Sequence, residues 1–119
     1  MDADVLKKDL GKRTKKFARR IIALTEALPP NRVGNVLGKQ LLRSGTSVGA
    51  NYREARRARS KSEFIAKIGE CLKEADETAY WLELLNEGKV LSQKVLTSIQ
   101  DETNQLIAIF VTTLRTAKK

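Results

Sequence analysis

Three observations predict an all-α chain, specifically an antiparallel up-down-up-down four-helix bundle: apolar residues recur at steps of three, four and seven, helix start and stop residues mark three short junctions, and no segment alternates convincingly at strand period. At 119 residues the chain fits one domain, 1–119, with 1–7 and 118–119 expected to be flexible.

The first helix, about 8–28, carries Leu10, Phe17, Ile21, Leu24 and Leu28 on one face, and Pro29-Pro30 ends it. Gly11 is expected to loosen its start. Asn31 then caps a second helix, about 32–58, with the series Leu37, Leu41, Ser44, Val48, Asn51, Ala55. Ser60-Lys61-Ser62-Glu63 has capping-box form and opens a third helix, 61–87, striped by Phe64, Ile68, Leu72, Ala75, Ala79 and Leu82. Gly88 is expected to supply its left-handed stop. Ser92 caps the fourth, 93–117, with Leu91 packing on Leu96 and a stripe of Ile99, Thr103, Leu106 and Phe110.

Helix four holds a second stripe, Leu96, Ile107, Val111 and Leu114, and helix three adds Trp81, Leu84 and Leu85. Either these form one broad buried arc or they are a subunit interface, since sizeable exposed apolar patches mark contact surfaces. Self-association is the expectation.

Composition excludes several chemistries. The chain has no histidine and only Cys71, so the usual nitrogen and sulfur metal sites and any internal disulfide are out of reach, and no cofactor is expected. Gly34-Asn35-Val36-Leu37-Gly38-Lys39 has one residue too few between its glycines for a phosphate loop, and Gln40 stands where a magnesium-binding hydroxyl belongs. Glu70, Glu74 and Glu77 share a face but lack the histidines of a di-metal bundle, which leaves a solvated, partly ion-paired face. Ser44 and Ser47 lack an imidazole to activate them. A non-enzyme is the expectation. The longest apolar run, Leu106 to Val111, is far short of the roughly 20 residues that span a bilayer. The acidic N-terminus lacks the pattern of a secretory signal, so a cytoplasmic location is expected.

Charge is the sequence's most pointed signal. Residues 1–59 hold 15 Lys/Arg against 5 Asp/Glu, whereas residues 60–103 hold 5 against 9. Helix one carries Lys7, Lys8, Lys12, Arg13, Lys15, Lys16, Arg19 and Arg20, and a second cluster, Arg53, Arg56, Arg57, Arg59 and Lys61, occupies the corner between helices two and three. Such one-sided asymmetry points to a polyanionic partner, RNA or DNA, although charged helix faces also serve solubility alone. Tyr52, beside the second cluster, either stacks on an unpaired base or caps the core.

A polar line, Gln40, Ser44, Ser47, Asn51 and Glu54, runs beside the apolar stripe of helix two, with Arg43 adjoining it. Buried polar groups need partners, so Asn51 and Glu54 are expected to bond to a neighbouring helix or subunit, as a network that sets register. Gly45 and Gly49 offer a small face for close helix approach.

Gln40 to Ala55, containing Arg43-Ser44, Ser47-Val48 and Asn51-Tyr52-Arg53-Glu54, followed by Ser62-Glu63-Phe64 and Leu72-Lys73-Glu74-Ala75-Asp76-Glu77-Thr78, resembles a known family. It is similar, over residues 9–115, to bacterial four-helix-bundle proteins first noticed as products of intervening sequences inside 23S ribosomal RNA genes. The resemblance implies the same bundle, a ring-shaped homopentamer, and a role for which nucleic-acid binding is suspected; a relative serves as accessory to a retroelement reverse transcriptase. Many relatives carry proline at the position of Gly49. The two functional expectations are therefore phosphate-directed RNA or DNA binding and, alternatively, a protein scaffold or accessory subunit; a membrane-surface role is set aside because the apolar face of helix one is committed to the core.

Overall fold

The computed structural model describes residues 3–119, and side chains from Asp9 onward. Four helices account for it: α1 Ala3–Glu26, α2 Arg32–Arg56, α3 Lys61–Glu87 and α4 Gln93–Ala117. Among the described residues there is no strand. Residues 1 and 2, and the side chains of Lys7 and Lys8, lie outside what is described, so the expected flexibility of 1–7 falls partly there.

The ends differ from expectation for local reasons. α1 starts at Ala3, ahead of residue 8, and stops at Glu26, because Leu28 precedes Pro29 and is steered out of helical geometry. α2 stops at Arg56 rather than residue 58, its last carbonyls taken by tightened bonds from Arg57 N to Glu54 O and Ala58 N to Ala55 O, each 3.1 Å. α3 and α4 have the expected limits. Asn31, Ser60 and Ser92 all cap, accepting from Gly34 N (2.9 Å), Glu63 N (3.1 Å) and Val95 N (3.4 Å). The Glu63 carboxylate reaches back one residue beyond the cap, to Arg59 N at 3.2 Å. Gly88 is not the left-handed stop: its φ is −78°, and Lys89 takes φ 55° instead. That turn brings Val90 N to Leu85 O at 3.0 Å, closing the helix end.

α2 packs most closely on α3 and α1, α3 also on α4, while α1 and α4 approach only lightly and, among the described residues, the backbones of α1 and α3 do not come close. The result is a four-helix bundle of 44 × 24 × 21 Å. Its core holds Phe17, Ile21, Leu41, Val48, Ile68, Leu82, Leu106 and Phe110, all at 1% exposure or less. The α3 stripe is rotated from that expected, the α2 stripe differs at one position, and the expected α4 stripe is buried as read and extended by Leu96. On α2 the buried position is Tyr52, not Asn51; on α3 it is Cys71, Thr78 and Leu85 beside Ile68, Ala75 and Leu82, while Leu72 and Ala79 are half-buried. On α4, Leu96 begins the main stripe, which runs 96, 99, 103, 106, 110.

Each helix places one serine or threonine in this core: Thr14, Ser44, Thr78 and Thr103. Each lies within bonding distance of a carbonyl of its own helix: Gly11 O (3.2 Å), Leu41 O (3.4 Å), Glu74 O (2.8 Å) and Ile99 O (2.7 Å). A hydroxyl satisfied this way sits among apolar neighbours without the cost of an orphaned donor, so the stripe tolerates it.

Cys71 is fully buried, and burial pushes its thiol up to about 12. With so little thiolate at neutral pH, an aromatic disulfide reagent is expected to modify Cys71 only as fast as the chain opens. Modification within seconds in native buffer, without denaturant, would contradict this packing.

Candidate nucleic-acid interface

The α1–α2 seam is built by small residues. An alanine methyl at Gly45 would lie 2.8 Å from Ile21 side-chain carbons, one at Gly49 3.3 Å from Thr14 O, and one at Gly38 3.0 Å from Leu28 Cδ1. The small face expected at Gly45 and Gly49 is therefore occupied by α1 itself. Gly11 does not loosen α1: a methyl there would stand 2.9 Å from Arg56 Nη1, so its bare backbone makes room for a guanidinium crossing from α2.

That crossing joins the two basic clusters. A groove of about 690 Å³ opens between α1 and α2, with Lys12 and Lys15 on one wall, Arg53, Arg56 and Arg57 on the other, and Gly11, Ala18, Gly49 and Ala50 along it. Those five cations are exposed. Glu54 also borders the groove, but its carboxylate accepts from Lys67 Nζ at 2.8 Å, an α2–α3 contact that meets the expectation for Glu54 and holds the lysine's ammonium charged above its ordinary range. Sequence reasoning saw the cations; it missed Gly11, Thr14 and Gly49 as the parts that bring them together, although two glycines on helices predicted to neighbour each other were the available signal.

The remaining expected residues divide. Lys16 and Arg20 face the opposite side of α1, lining a cleft against α4. Arg19 is exposed on the ridge between them. Arg59 and Lys61 lie at the α2–α3 corner outside the groove, Lys61 Nζ reaching Lys119 O at 3.1 Å. Tyr52 is corrected: it is 3% exposed, its ring 6.5 Å from that of Phe110, and burial pushes its phenol above the ordinary range. It caps the core and offers no face to a base.

The α1–α4 cleft is bridged by side chains. Arg13 donates to both Glu102 oxygens, at 2.9 and 2.6 Å, and to Gln105 Oε1 at 2.8 Å, and Arg20 donates to Ser98 Oγ at 2.8 Å. The hydrogen bond from Arg13 holds the Glu102 carboxyl below its ordinary 4.5, and the one from Arg43 does the same for Glu77. A carboxyl depressed in the folded state stabilises the fold above the unfolded value and loses that contribution as pH falls through the folded one. Thermal stability is expected to decline as pH drops below 4.5, and Glu102→Gln to flatten part of that decline, read as Tm from about pH 7 to about pH 3.

The polar line of α2 faces α3. The Ser44 hydroxyl is 2.9 Å from that of Thr78, both fully buried, and Arg43 pairs with Glu74 at 3.1 Å and with Glu77. Glu74 is thus not part of a solvated face: at 8% exposure it is enclosed beneath Arg43. Asn51 differs from expectation, since its amide donates to Ser47 O of its own helix at 3.0 Å, and Ser47 in turn donates to Arg43 O at 2.6 Å. Among the described residues no buried side-chain nitrogen or oxygen lacks a partner.

Of the expected subunit contacts, Leu85 and Leu96 are corrected: both are at 0% exposure inside the chain's own core, because each lies on a main stripe. Trp81, Leu84, Ile107, Val111 and Leu114 are half-buried. The exposed apolar side chains are others, among them Val33, Val36, Tyr80 and Val95, each more than half exposed. No described helix is long and apolar enough to cross a membrane.

The four-helix architecture has known relatives. The family model of the 23S rRNA-intervening sequence protein matches residues 7–112. The chain belongs to that family. A solved member of the S23 ribosomal protein family from Bacteroides thetaiotaomicron, itself of unknown function, is 38% identical over 87% of this chain and 96% of its own, with a TM-score of 0.83. No curated protein matches. Membership in the 23S rRNA-intervening sequence protein family agrees with the all-helical, four-helix architecture.

Proposed function

We propose that this chain is a non-enzymatic, self-associating cytoplasmic bundle that binds RNA or DNA through phosphates. The observation that carries the proposal is the convergence of Lys12 and Lys15 from α1 with Arg53, Arg56 and Arg57 from α2 around one groove. Arginine forks bind phosphate bidentately, and a small-residue floor lets a backbone approach closely. Direct test comes from fluorescence anisotropy with labelled nucleic acid across a salt series. Five cations predict a log–log slope of roughly −4 and binding that is strong at about 50 mM salt and weak at about 200 mM. No binding at the lower salt would overturn the proposal.

An antiparallel, up-down-up-down arrangement belongs to it. As α2 ascends from Arg43 to Glu54, its ion-pair partners on α3 descend from Glu77 to Lys67. As α1 ascends from Arg13 to Arg20, its partners on α4 descend from Glu102 to Ser98. Self-association, as a ring of five by family resemblance, would use the half-buried Trp81, Leu84, Ile107, Val111 and Leu114; light scattering of a strict monomer at micromolar concentration counts against it. The exposed Val33, Val36 and Tyr80 favour a second reading, an accessory subunit that meets a protein partner. A partner retained after complete nuclease digestion, with no nucleic acid co-purifying, selects that reading.

A further inference from the structure

Lys12 lines two clefts at once, the groove against α2 and the cleft against α4. α1 is therefore a ridge, with Lys12, Lys15, Lys16 and Arg19 exposed along its crest and a cleft on each flank. The α2 flank carries Arg53, Arg56 and Arg57. The α4 flank carries Arg20 and, from α4, Lys94, with Asp101 and the Arg13-bound Glu102 as its acids. The second cleft exists because α1 packs closely on α2 and its backbone approaches α4 only lightly, while its inner face, Thr14, Phe17 and Ile21, is buried in the core.

Arg13 and Lys16 line the same α4-side cleft and give it four cations against two acids, and a ridge between two cationic flanks suits a ligand with two phosphate rows. A helix with its side chains is about 10–12 Å across, and the B-form major groove is about 12 Å wide. The A-form major groove is too narrow to admit one. Single strands, by contrast, are held by exposed aromatic rings beside a basic track. Of the six aromatic residues, Phe17, Tyr52 and Phe110 are buried and Phe64 and Trp81 half-buried. The exposed one, Tyr80, is on α3, whose backbone does not come close to α1 among the described residues.

We infer that the ligand of this surface is double-stranded DNA, with the α1 ridge entering its major groove and the two strands' phosphates resting against the α2 and α4 flanks. This rests on the phosphate-binding proposal above and narrows its ligand. The crest offers lysine and arginine, which pair with guanine O6 and N7, and no amide side chain to read adenine, so base selectivity is limited to G·C pairs and the phosphates on the flanks supply most of the affinity.

The test compares a 20-base-pair DNA duplex, an RNA duplex of the same sequence and each single strand, by anisotropy at about 50 mM salt. The duplex DNA is expected to bind at least about tenfold more tightly than the single strands, with the RNA duplex weaker than the DNA. Arg20→Glu with Lys94→Glu, on the flank away from α2, is expected to cost about tenfold on duplex DNA and to stay within about twofold on single strands. Circular dichroism of that variant checks the fold, and Arg20→Gln with Lys94→Gln, which leaves no new carboxylates, is expected to lose affinity in the same order. Equal binding of single strands or of duplex RNA, or duplex binding indifferent to the α4-flank variants, overturns this inference and leaves the phosphate-binding proposal standing. Failure of every nucleic acid to bind overturns that proposal instead.

Discussion

Changing Arg53, Arg56 and Arg57 together to glutamate is expected to weaken nucleic-acid binding at least about a hundredfold at low salt. Three of the five cations around the α1–α2 groove reverse sign, and Lys12 and Lys15 are left facing carboxylates that pair with them internally. The loss exceeds that of simple neutralisation, because a reversed groove repels each phosphate that approaches it. Arg56 and Arg57 also sit at the C-terminal end of α2, where cations interact favourably with the helix dipole. A glutamine triple variant separates the two effects: it removes phosphate pairing without adding carboxylates there, and should lose about tenfold. Reversing Arg59 and Lys61, which lie outside the groove, is the internal comparison, and its loss should be severalfold smaller. Equal losses from the two reversals would mean that net charge, rather than the groove, governs binding.

Much of the fold was legible because each helix announces itself locally. Asn31, Ser60 and Ser92 cap as their side chains predict, and α3 and α4 have the limits read from punctuation alone. What resisted reading was rotation about the helix axes. Asn51 and Tyr52 are neighbours in sequence, and periodicity favoured the position that keeps strict three-four steps; the bundle buries the tyrosine because its ring meets Phe110. Leu85 looked surplus only while α3 was centred on Leu72 and Ala79; centred on Cys71, Thr78 and Leu85, that helix needs it for its own core, and Leu96 simply extends the α4 stripe by one step. The candidate site was legible as charge and illegible as shape. Lys12 and Arg56 are far apart in sequence and border one groove only in the folded chain, where the Arg56 guanidinium lies over the bare backbone of Gly11.

Replacing Gly34 by alanine is expected to destabilise the fold by about 3 kcal/mol, a fall in Tm of roughly 10 °C. A methyl at this position would lie 2.0 Å from Pro29 O and 3.2 Å from Pro29 C, both backbone atoms that cannot rotate away. That carbonyl accepts from Asn31 N at 2.9 Å while the Asn31 side chain accepts from Gly34 N, so one bend holds both the junction and the cap. Relieving the clash means giving up one of these bonds and moving α2 relative to α1. The same substitution elsewhere has a different sign. At Gly69, in the body of α3, nothing lies within 4 Å of the added methyl, and gained helix propensity is expected to stabilise by about 1 kcal/mol. Gly38→Ala falls between them, since its methyl meets only the end of the Leu28 side chain, which can turn aside, so propensity and crowding nearly cancel. Thermal unfolding of the three variants ranks them Gly69→Ala above Gly38→Ala above Gly34→Ala. Because all three remove a helical glycine, propensity is common to the series, and the spread measures what each methyl meets. A Gly34→Ala variant as stable as the parent would mean that the α1–α2 junction carries no such bend, and with it would go the geometry that sets the two walls of the groove side by side.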